Sequence, residues 1–114
     1  MTQAPETELL VRYEGTGSGA HEIWGGTQAN FLVAANGWPG AREVAVMLND
    51  PAAALLAESA GAENTDEFRA EAANRVGEAV IRERHRRLGH VDAVVTVSRA
   101  TLEEHPELLE AVKP

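Results

Sequence analysis

The side chains that could carry chemistry in this chain are four histidines, eighteen carboxylates and ten cations, with no cysteine among its 114 residues. His90 and Asp92 lie two positions apart, so a strand would place both on one face, and His21-Glu22 could approach from elsewhere. Metal sites usually draw on ligand pairs at helical spacing, such as HExxH, and the sequence has none. We therefore expect no metal and no cofactor. A pocket lined by His21, His90 and Asp92, in a small ligand-binding domain or enzyme, is the alternative hypothesis.

The motifs that mark a phosphate-binding loop or a catalytic nucleophile are missing. The stretch GTGSG at 15–19 follows a predicted strand, but HEIWGG comes next instead of a helix whose N-terminal N–H groups would hold a phosphate. A loop between two strands accounts for it better. The chain has no cysteine and no GxSxG motif, so no side chain is marked as a nucleophile. We predict that the protein is not an enzyme and has no catalytic residue.

Arginines cluster in the segment RERHRR at 82–87, which holds four of the ten basic residues. On a helix, i,i+4 pairing with glutamate and the favourable charge at the C-terminus explain part of this cluster. The apolar stripe of the same helix, however, continues into Glu83, Arg86 and Arg87 instead of further apolar side chains. The planar guanidinium pairs well with carboxylates of another protein. The segment is thus either a solvated helix end or an interface, whose candidate residues are Arg82, Arg84, Arg86 and Arg87.

Aromatic residues supply the remaining interface candidates. Trp24 and Trp38 lie beside glycines, in IWGG and GWPG, at the ends of predicted strands. They either cap the edge of the core or anchor a partner, since buried aromatic side chains dominate many interfaces. Tyr13, on the first predicted strand, completes the set.

Length and charge limit the class of protein. A chain of 114 residues suits one domain, and 44% hydrophobic with 25% charged residues is ordinary for a folded one. We predict an extended N-terminal arm over 1–7, which contains Pro5, and a single domain over 8–114. A net charge of −8 disfavours direct nucleic-acid binding. The longest apolar runs, such as 52–57, are far shorter than the roughly 20 residues of a membrane span, so we expect no membrane association.

Periodicity and turn chemistry predict an α+β fold. Alternating apolar residues predict strands over 8–14 and 91–98, a short strand near His21, and a hairpin over 30–48 that turns at Gly37-Trp38-Pro39-Gly40. Asp50, Asn64 and Thr101 are the predicted N-caps. The expected fold is about four mostly antiparallel strands, with one long helix (about 64–88) packed on the sheet and shorter helices at about 51–60 and 101–112, the last interrupted or restarted at Pro106.

One family resemblance follows from three short segments. Val11-Arg12-Tyr13-Glu14-Gly15, His21-Glu22-Ile23 and Asn36-Gly37-Trp38 together resemble small structural proteins from the head–tail region of actinobacterial tailed phages. The resemblance covers roughly the first 40 residues. It implies a virion or neck component that works as a ring of subunits, and it transfers no functional residue.

The sequence therefore leads us to expect a non-enzymatic structural or assembly protein that acts as an oligomeric subunit, such as a head–tail connector or a capsid-associated protein. Its partners would be copies of itself and other proteins of an assembly. It would be cytoplasmic when made and would then enter the virion.

Overall fold

The computed structural model describes residues 9–17 and 26–113, which form a four-stranded sheet with helices against one face. β1, β2 and β3 pair antiparallel, and β4 pairs parallel to β3. The strands lie in chain order across the sheet and span Leu9–Gly17, Gly26–Ala35, Arg42–Asn49 and Val94–Val97. The predicted α+β fold with a mostly antiparallel sheet is confirmed. The predicted arm over 1–7 and the short strand near His21 lie outside the described residues.

Two helices connect β3 to β4, and two short ones follow β4. The long helix, α2, contacts β1, β2 and β3, so it crosses most of the sheet as expected. The bounds are α1 Asp50–Ala60, α2 Asp66–Leu88, α3 Arg99–Glu104 and a C-terminal 3-10 helix Pro106–Val112. Pro106 thus restarts the last helical stretch after a break at His105, because proline is accepted in a first helical turn but not in a helix interior.

The N-caps lie close to the predicted positions but not on them. Asn49 caps α1, where its side chain accepts a hydrogen bond from the Ala52 amide at 3.1 Å. Thr65 caps α2 through the Phe68 amide at 3.0 Å, and Ser98 caps α3. The predictions of Asp50, Asn64 and Thr101 were therefore wrong by one to three residues. In each case two side chains suited to capping compete, and the backbone conformation decides between them.

The core lies between the sheet and the helices and follows the period of two along the strands. Phe31 and Val33 on β2 and Val44, Val46 and Leu48 on β3 are all buried on the helix side. α2 contributes the opposing surface, which is made largely of small side chains: Ala72, Ala73, Val76, Gly77, Val80 and Ile81. Of the apolar stripe predicted over Phe68, Ala72, Val76, Ala79 and Val80, the second, third and fifth residues are buried and the other two are half-buried. The small residues of the buried side let the helix lie close to the sheet.

A bulge in β1 corrects the loop prediction for residues 15–17, while residues 18 and 19 of the predicted loop lie outside the described residues. Tyr13 is opposite Phe31 and Gly15 is opposite Asn30, so Glu14 is one extra residue in the strand. Gly15 has a φ of 127°, a conformation that side-chain-bearing residues rarely adopt. The glycine therefore permits a bulge and not a chain reversal, and β1 continues to Gly17.

Two strand lengths also differ from the prediction. β2 begins at Gly26 instead of Asn30, because its polar first residues pair with the apolar end of β3, where Thr27 faces Leu48. β4 covers Val94–Val97 and not 91–98, although Val91 is still buried from the preceding loop. In both cases the length of the strand depends on where the neighbouring strand pairs with it. The β-propensity of the residues themselves does not contain this information.

Candidate interaction surfaces

Arg82 is engaged within the chain at the junction of helix and sheet. Its terminal nitrogen donates to the carbonyl oxygen of Leu9 at 2.9 Å, and its Nε donates to Glu78 at 3.0 Å. Leu9 begins β1, the strand at one edge of the sheet. Arg82 therefore ties the long helix to the edge strand, a role that the spacing of the arginine cluster did not indicate.

Arg87 is held by Glu83 one turn earlier on the same helix. Its Nε donates to the Glu83 carboxylate at 2.7 Å, and the Glu83 side chain is only 15% exposed. This hydrogen bond, assisted by the nearby charges of Arg87, His105 and Arg84, holds the pKa of Glu83 below its ordinary value of 4.5, although desolvation opposes the shift. The same bond raises the pKa of Arg87.

We predict that Arg87→Gln lowers the thermal stability at neutral pH and that the difference from the unchanged protein vanishes in acid. A depressed carboxyl pKa stabilises the fold above the pKa of the unfolded chain, and this contribution is lost as the pH falls through the folded value. The melting temperatures of the variant and of the unchanged protein, measured at a series of decreasing pH values, give this stability difference.

Arg75→Gln is the matched control, since it removes another i,i+4 pair from the same helix but leaves a Glu71 that is 57% exposed. Arg75→Gln should lower the melting temperature less than Arg87→Gln does. A difference between the Arg87 variant and the unchanged protein that persists undiminished below the folded pKa of Glu83 would contradict the assignment.

Arg84 and Arg86 are the members of the cluster that have no ion pair or hydrogen bond to another described side chain. Arg86 is exposed and Arg84 is half-buried near the end of α2. Leu88, which ends the helix beside them, is also exposed. This end of α2 thus offers two uncommitted guanidinium groups next to an apolar side chain.

Trp38 packs at the rim of the core, between the turn that joins β2 to β3 and the arginine end of α2. Its ring meets the His85 ring edge-on, with the centroids 6.0 Å apart. The Arg42 guanidinium lies 5.0 Å from the Trp38 centroid, within the range of a cation–π contact. Of the two roles considered for this residue, its position matches a cap on the core edge. Trp24 lies outside the described residues.

Tyr13 lies on β1 at the edge of the helix-covered face. Its ring centroid is 5.7 Å from that of Phe31, and its hydroxyl is hydrogen-bonded to that of Thr16, across the bulge. The side chain remains partly exposed. Tyr13 therefore combines a contact with the core and a surface that a partner could cover.

The histidine hypothesis receives no support from the geometry that is described. Because β4 begins at Val94, His90 and Asp92 lie in a loop and not on a strand. Their side chains are 3.8 Å apart and both are well exposed. Residues 9–17 and 26–113 contain no group of three His, Asp or Glu side chains that could hold a metal ion. His21 lies outside these residues, so the three-residue pocket stays a prediction.

The largest surface that sequence reasoning missed is the second face of the sheet. No described helix packs on it, and it exposes 64% of Leu10 on β1 and 54% of Val94 on β4. We call it the bare sheet face and define it by the outward-facing residues of the four strands: Leu10, Arg12, Glu14, Gln28, Asn30, Leu32, Ala34, Glu43, Ala45, Met47, Val94 and Thr96. A signal was present in β2, where NFLVAA is apolar at both odd and even positions.

Two shallow depressions flank the centre of the bare sheet face. One, of about 500 Å³, is lined by Glu14, Asn30, Glu43 and Ala45 among others. The second, of about 390 Å³, is lined mainly by Leu10, Leu32, Ala34 and the Arg12 side chain. Both are open to solvent and mix apolar with polar walls. They match the relief of a protein-binding surface better than an enclosed small-molecule site.

Comparison of the chain with protein-family models, curated proteins and solved structures finds no match. Residues 9–17 and 26–113 form an α+β domain, and no helix among them packs on the second face of the sheet. Within the described part of the chain, no helix is both long and apolar enough to cross a membrane.

Proposed function

We propose that this protein is a non-enzymatic structural subunit that acts by assembling with copies of itself and with other proteins. The class of assembly that we favour is the virion of a tailed phage, where the subunit would serve as a head–tail connector or capsid-associated protein. The resemblance of the first 40 or so residues to head–tail proteins supports this choice of assembly. Such a subunit would be made in the cytoplasm and incorporated afterwards.

The observation that carries the proposal is the bare sheet face. A sheet that packs helices on one side normally places polar side chains on the other. Here the second side keeps leucine, methionine and valine side chains beside arginine and glutamate. Exposed apolar groups mixed with a few charges are the composition of protein–protein interfaces, and contiguous exposed patches of this kind mark them.

The arginine end of α2 supports the proposal as a second contact surface. Within the described part of the chain, Arg84 and Arg86 make no ion pair or side-chain hydrogen bond, whereas Arg82 and Arg87 are engaged. Since the net charge is −8, another copy of the protein offers many carboxylates to which they could bind.

We predict that Arg84→Glu combined with Arg86→Glu reduces the mass of the assembled species without unfolding the subunit. Reversing these two charges removes attraction to an acidic partner and breaks no ion pair among the described residues. Native mass spectrometry at moderate salt measures the assembly, and circular dichroism measures the fold.

The matched control is Arg75→Glu with Arg99→Glu, which changes the charge equally but at arginines that already pair with Glu71 and Glu103 on exposed helix faces. It should assemble as the unchanged protein does. Normal assembly of the Arg84/Arg86 variant would remove this end of the helix from the proposed contacts.

A further inference from the structure

We propose that the bare sheet face binds the bare sheet face of a second copy, related by a two-fold axis that runs along β2. This inference rests on the proposed function, because it names the partner and the geometry of one of the assembly contacts. The other copy is the partner that the charges and the side-chain sizes on this face fit.

One row of residues across the sheet carries opposite charges on either side of a leucine. Arg12 on β1 is the register partner of Leu32 on β2, and Leu32 is the partner of Glu43 on β3. All three belong to the bare sheet face. Neighbouring strands are about 4.8 Å apart, so the positive and negative residues lie about 10 Å from each other with the leucine midway.

A half-turn about β2 exchanges the two charged positions. It places Arg12 of each copy opposite Glu43 of the other, and it places the two Leu32 side chains against each other on the axis. Stacked sheets lie about 10 Å apart, a gap that arginine and glutamate side chains reaching from opposite faces can bridge. The interface therefore gains two symmetric ion pairs around an apolar centre, the self-complementary pattern that two-fold symmetry demands.

A second possible axis, perpendicular to the strands, is disfavoured by the same row. A half-turn about the line through Arg12, Leu32 and Glu43 would place each arginine over the same arginine of the second copy, and each glutamate likewise. Like charges brought together in this way repel and cost binding energy. The row thus distinguishes the two arrangements.

The two charged side chains are available for such pairing. Arg12 uses its Nε to reach Glu14 at 2.7 Å, and no hydrogen bond to another described group occupies its terminal NH₂ groups. Glu43 is exposed and has no ion pair among the described residues. A guanidinium can bind two carboxylates at once through its separate N–H groups.

Side-chain sizes on β1 and β3, the two strands that flank β2, fit the same axis. Toward one end of the face, β1 presents Gly15 and Gly17, whose register partners are Asn30 and Gln28. In the same rows β3 presents Ala45 and Met47. The half-turn about β2 therefore places Ala45 of each copy over Gly15 of the other, where no atom of the subunit lies within 4 Å of the position that a Cβ would take.

The charge and the area of the bare sheet face determine how tightly two copies are expected to bind. The bare sheet face, as defined above, holds one positive residue (Arg12) and two negative ones (Glu14 and Glu43), a formal charge of −1 compared with −8 for the whole chain, so two copies repel each other little at this face. The four strands present roughly 500 Å² of flat surface. This area is typical of small, reversible interfaces, so the dimer should be concentration-dependent.

The test is a charge exchange between two single variants, Arg12→Glu and Glu43→Arg. Each variant alone places two like-charged pairs across the axis and should weaken dimerisation at least about tenfold.

Mixed in equal amounts, the two variants restore opposite charges at both positions. The glutamate introduced at position 12 then faces the arginine introduced at position 43, and the original Glu43 of the first variant faces the original Arg12 of the second. The mixture should therefore form a heterodimer about as strong as the original dimer, measured by sedimentation velocity and by native mass spectrometry with one variant isotope-labelled.

Arg99→Glu and Glu103→Arg, an ion pair on α3 away from the sheet, are the matched controls and should leave dimerisation unchanged, alone or mixed. Leu32→Arg provides a second test, since it places two cations together on the axis and should abolish the dimer. Circular dichroism checks the fold of every variant.

The outcomes separate this inference from the proposed function. If each single variant dimerises more weakly and the mixture of the two dimerises as the unchanged protein does, the two-fold pairing is supported. An unchanged protein that associates while the charge variants associate equally well would overturn the pairing and leave the assembly role intact. A subunit that stays monomeric at all concentrations would overturn both.

Discussion

Replacing Gly77 with alanine is expected to lower the free energy of unfolding by about 1–2 kcal/mol, or roughly 5–10 °C in melting temperature. A Cβ at this position would lie 2.7 Å from Cε1 and Cζ of Phe31 and 3.4 Å from Cβ of Val46. Phe31 is fully buried between the sheet and α2, so its ring has little room to move aside. In an exposed helix the same change would stabilise by about 1 kcal/mol, which makes the sign of the effect diagnostic.

The control is the same substitution in a Phe31→Leu background. A smaller side chain relieves the contact, so the cost of Gly77→Ala should fall well below its value in the original protein. A double-mutant cycle by chemical denaturation measures the coupling. If the alanine stabilises the original protein, or if its cost is unaffected by Phe31→Leu, the close approach of α2 to β2 at this point is incorrect.

Leu102→Ala is expected to cost more, about 3 kcal/mol, because Leu102 is completely buried although it belongs to a helix of only six residues. α3 packs against α1 and the C-terminal 3-10 helix, so the side chain joins the end of the chain to the core. Its removal leaves a cavity among elements that relax only partly. Unfolding by a chemical denaturant measures the change in the free energy of unfolding.

Leu88→Ala makes the same chemical change on an exposed side chain at the end of α2 and should cost less than about 0.5 kcal/mol. A Leu102 variant as stable as the Leu88 variant would mean that the chain after β4 is not part of the folded core.

The elements with strong local signals were predictable from the sequence. α2 has a capping sequence, an apolar stripe and a terminal Gly89 in the left-handed conformation, and each signal is local. The β2–β3 hairpin was readable from the turn at 37–40. Gly77 lies on the buried side of α2, and the Phe31 ring occupies the space that a Cβ at this position would need, so helix and strand approach each other closely here.

Features that depend on distant pairing were not predictable. β1 passes through Gly15 because β2 pairs with it on both sides of the bulge. The bounds of β2 and β4 follow their neighbours in the same way. Among the arginines, Arg82 reaches a backbone oxygen 73 residues away, which no local pattern could reveal.

The bare sheet face was missed for a different reason. The sequence NFLVAA is apolar on both sides of the strand, and such a run is also what a strand covered on both faces would show. Only the placement of the described helices on one side shows that no described helix covers Leu32 and Ala34. The bare sheet face is therefore recognisable only from the topology of the sheet, whereas the arginine end of α2 is recognisable from the charges in the sequence.

The bare sheet face and the arginine end of α2 could serve different contacts of one assembly. The proposed two-fold pairing joins two copies through their sheets and leaves the end of α2 accessible. Arg84 and Arg86 would then be available to carboxylates of further copies or of another protein. The charge-exchange and Arg84/Arg86 variants therefore separate the two contacts, because each should reduce a different step of assembly.

The mass of the unchanged protein as a function of concentration tests the central claim most directly. Sedimentation equilibrium should show the average mass rising from the 12.2 kDa of one chain towards that of a dimer or larger species as the concentration increases. A mass that stays at 12.2 kDa up to about 300 µM, far above the dissociation constants of specific small interfaces, would contradict the proposal that this protein works by self-assembly.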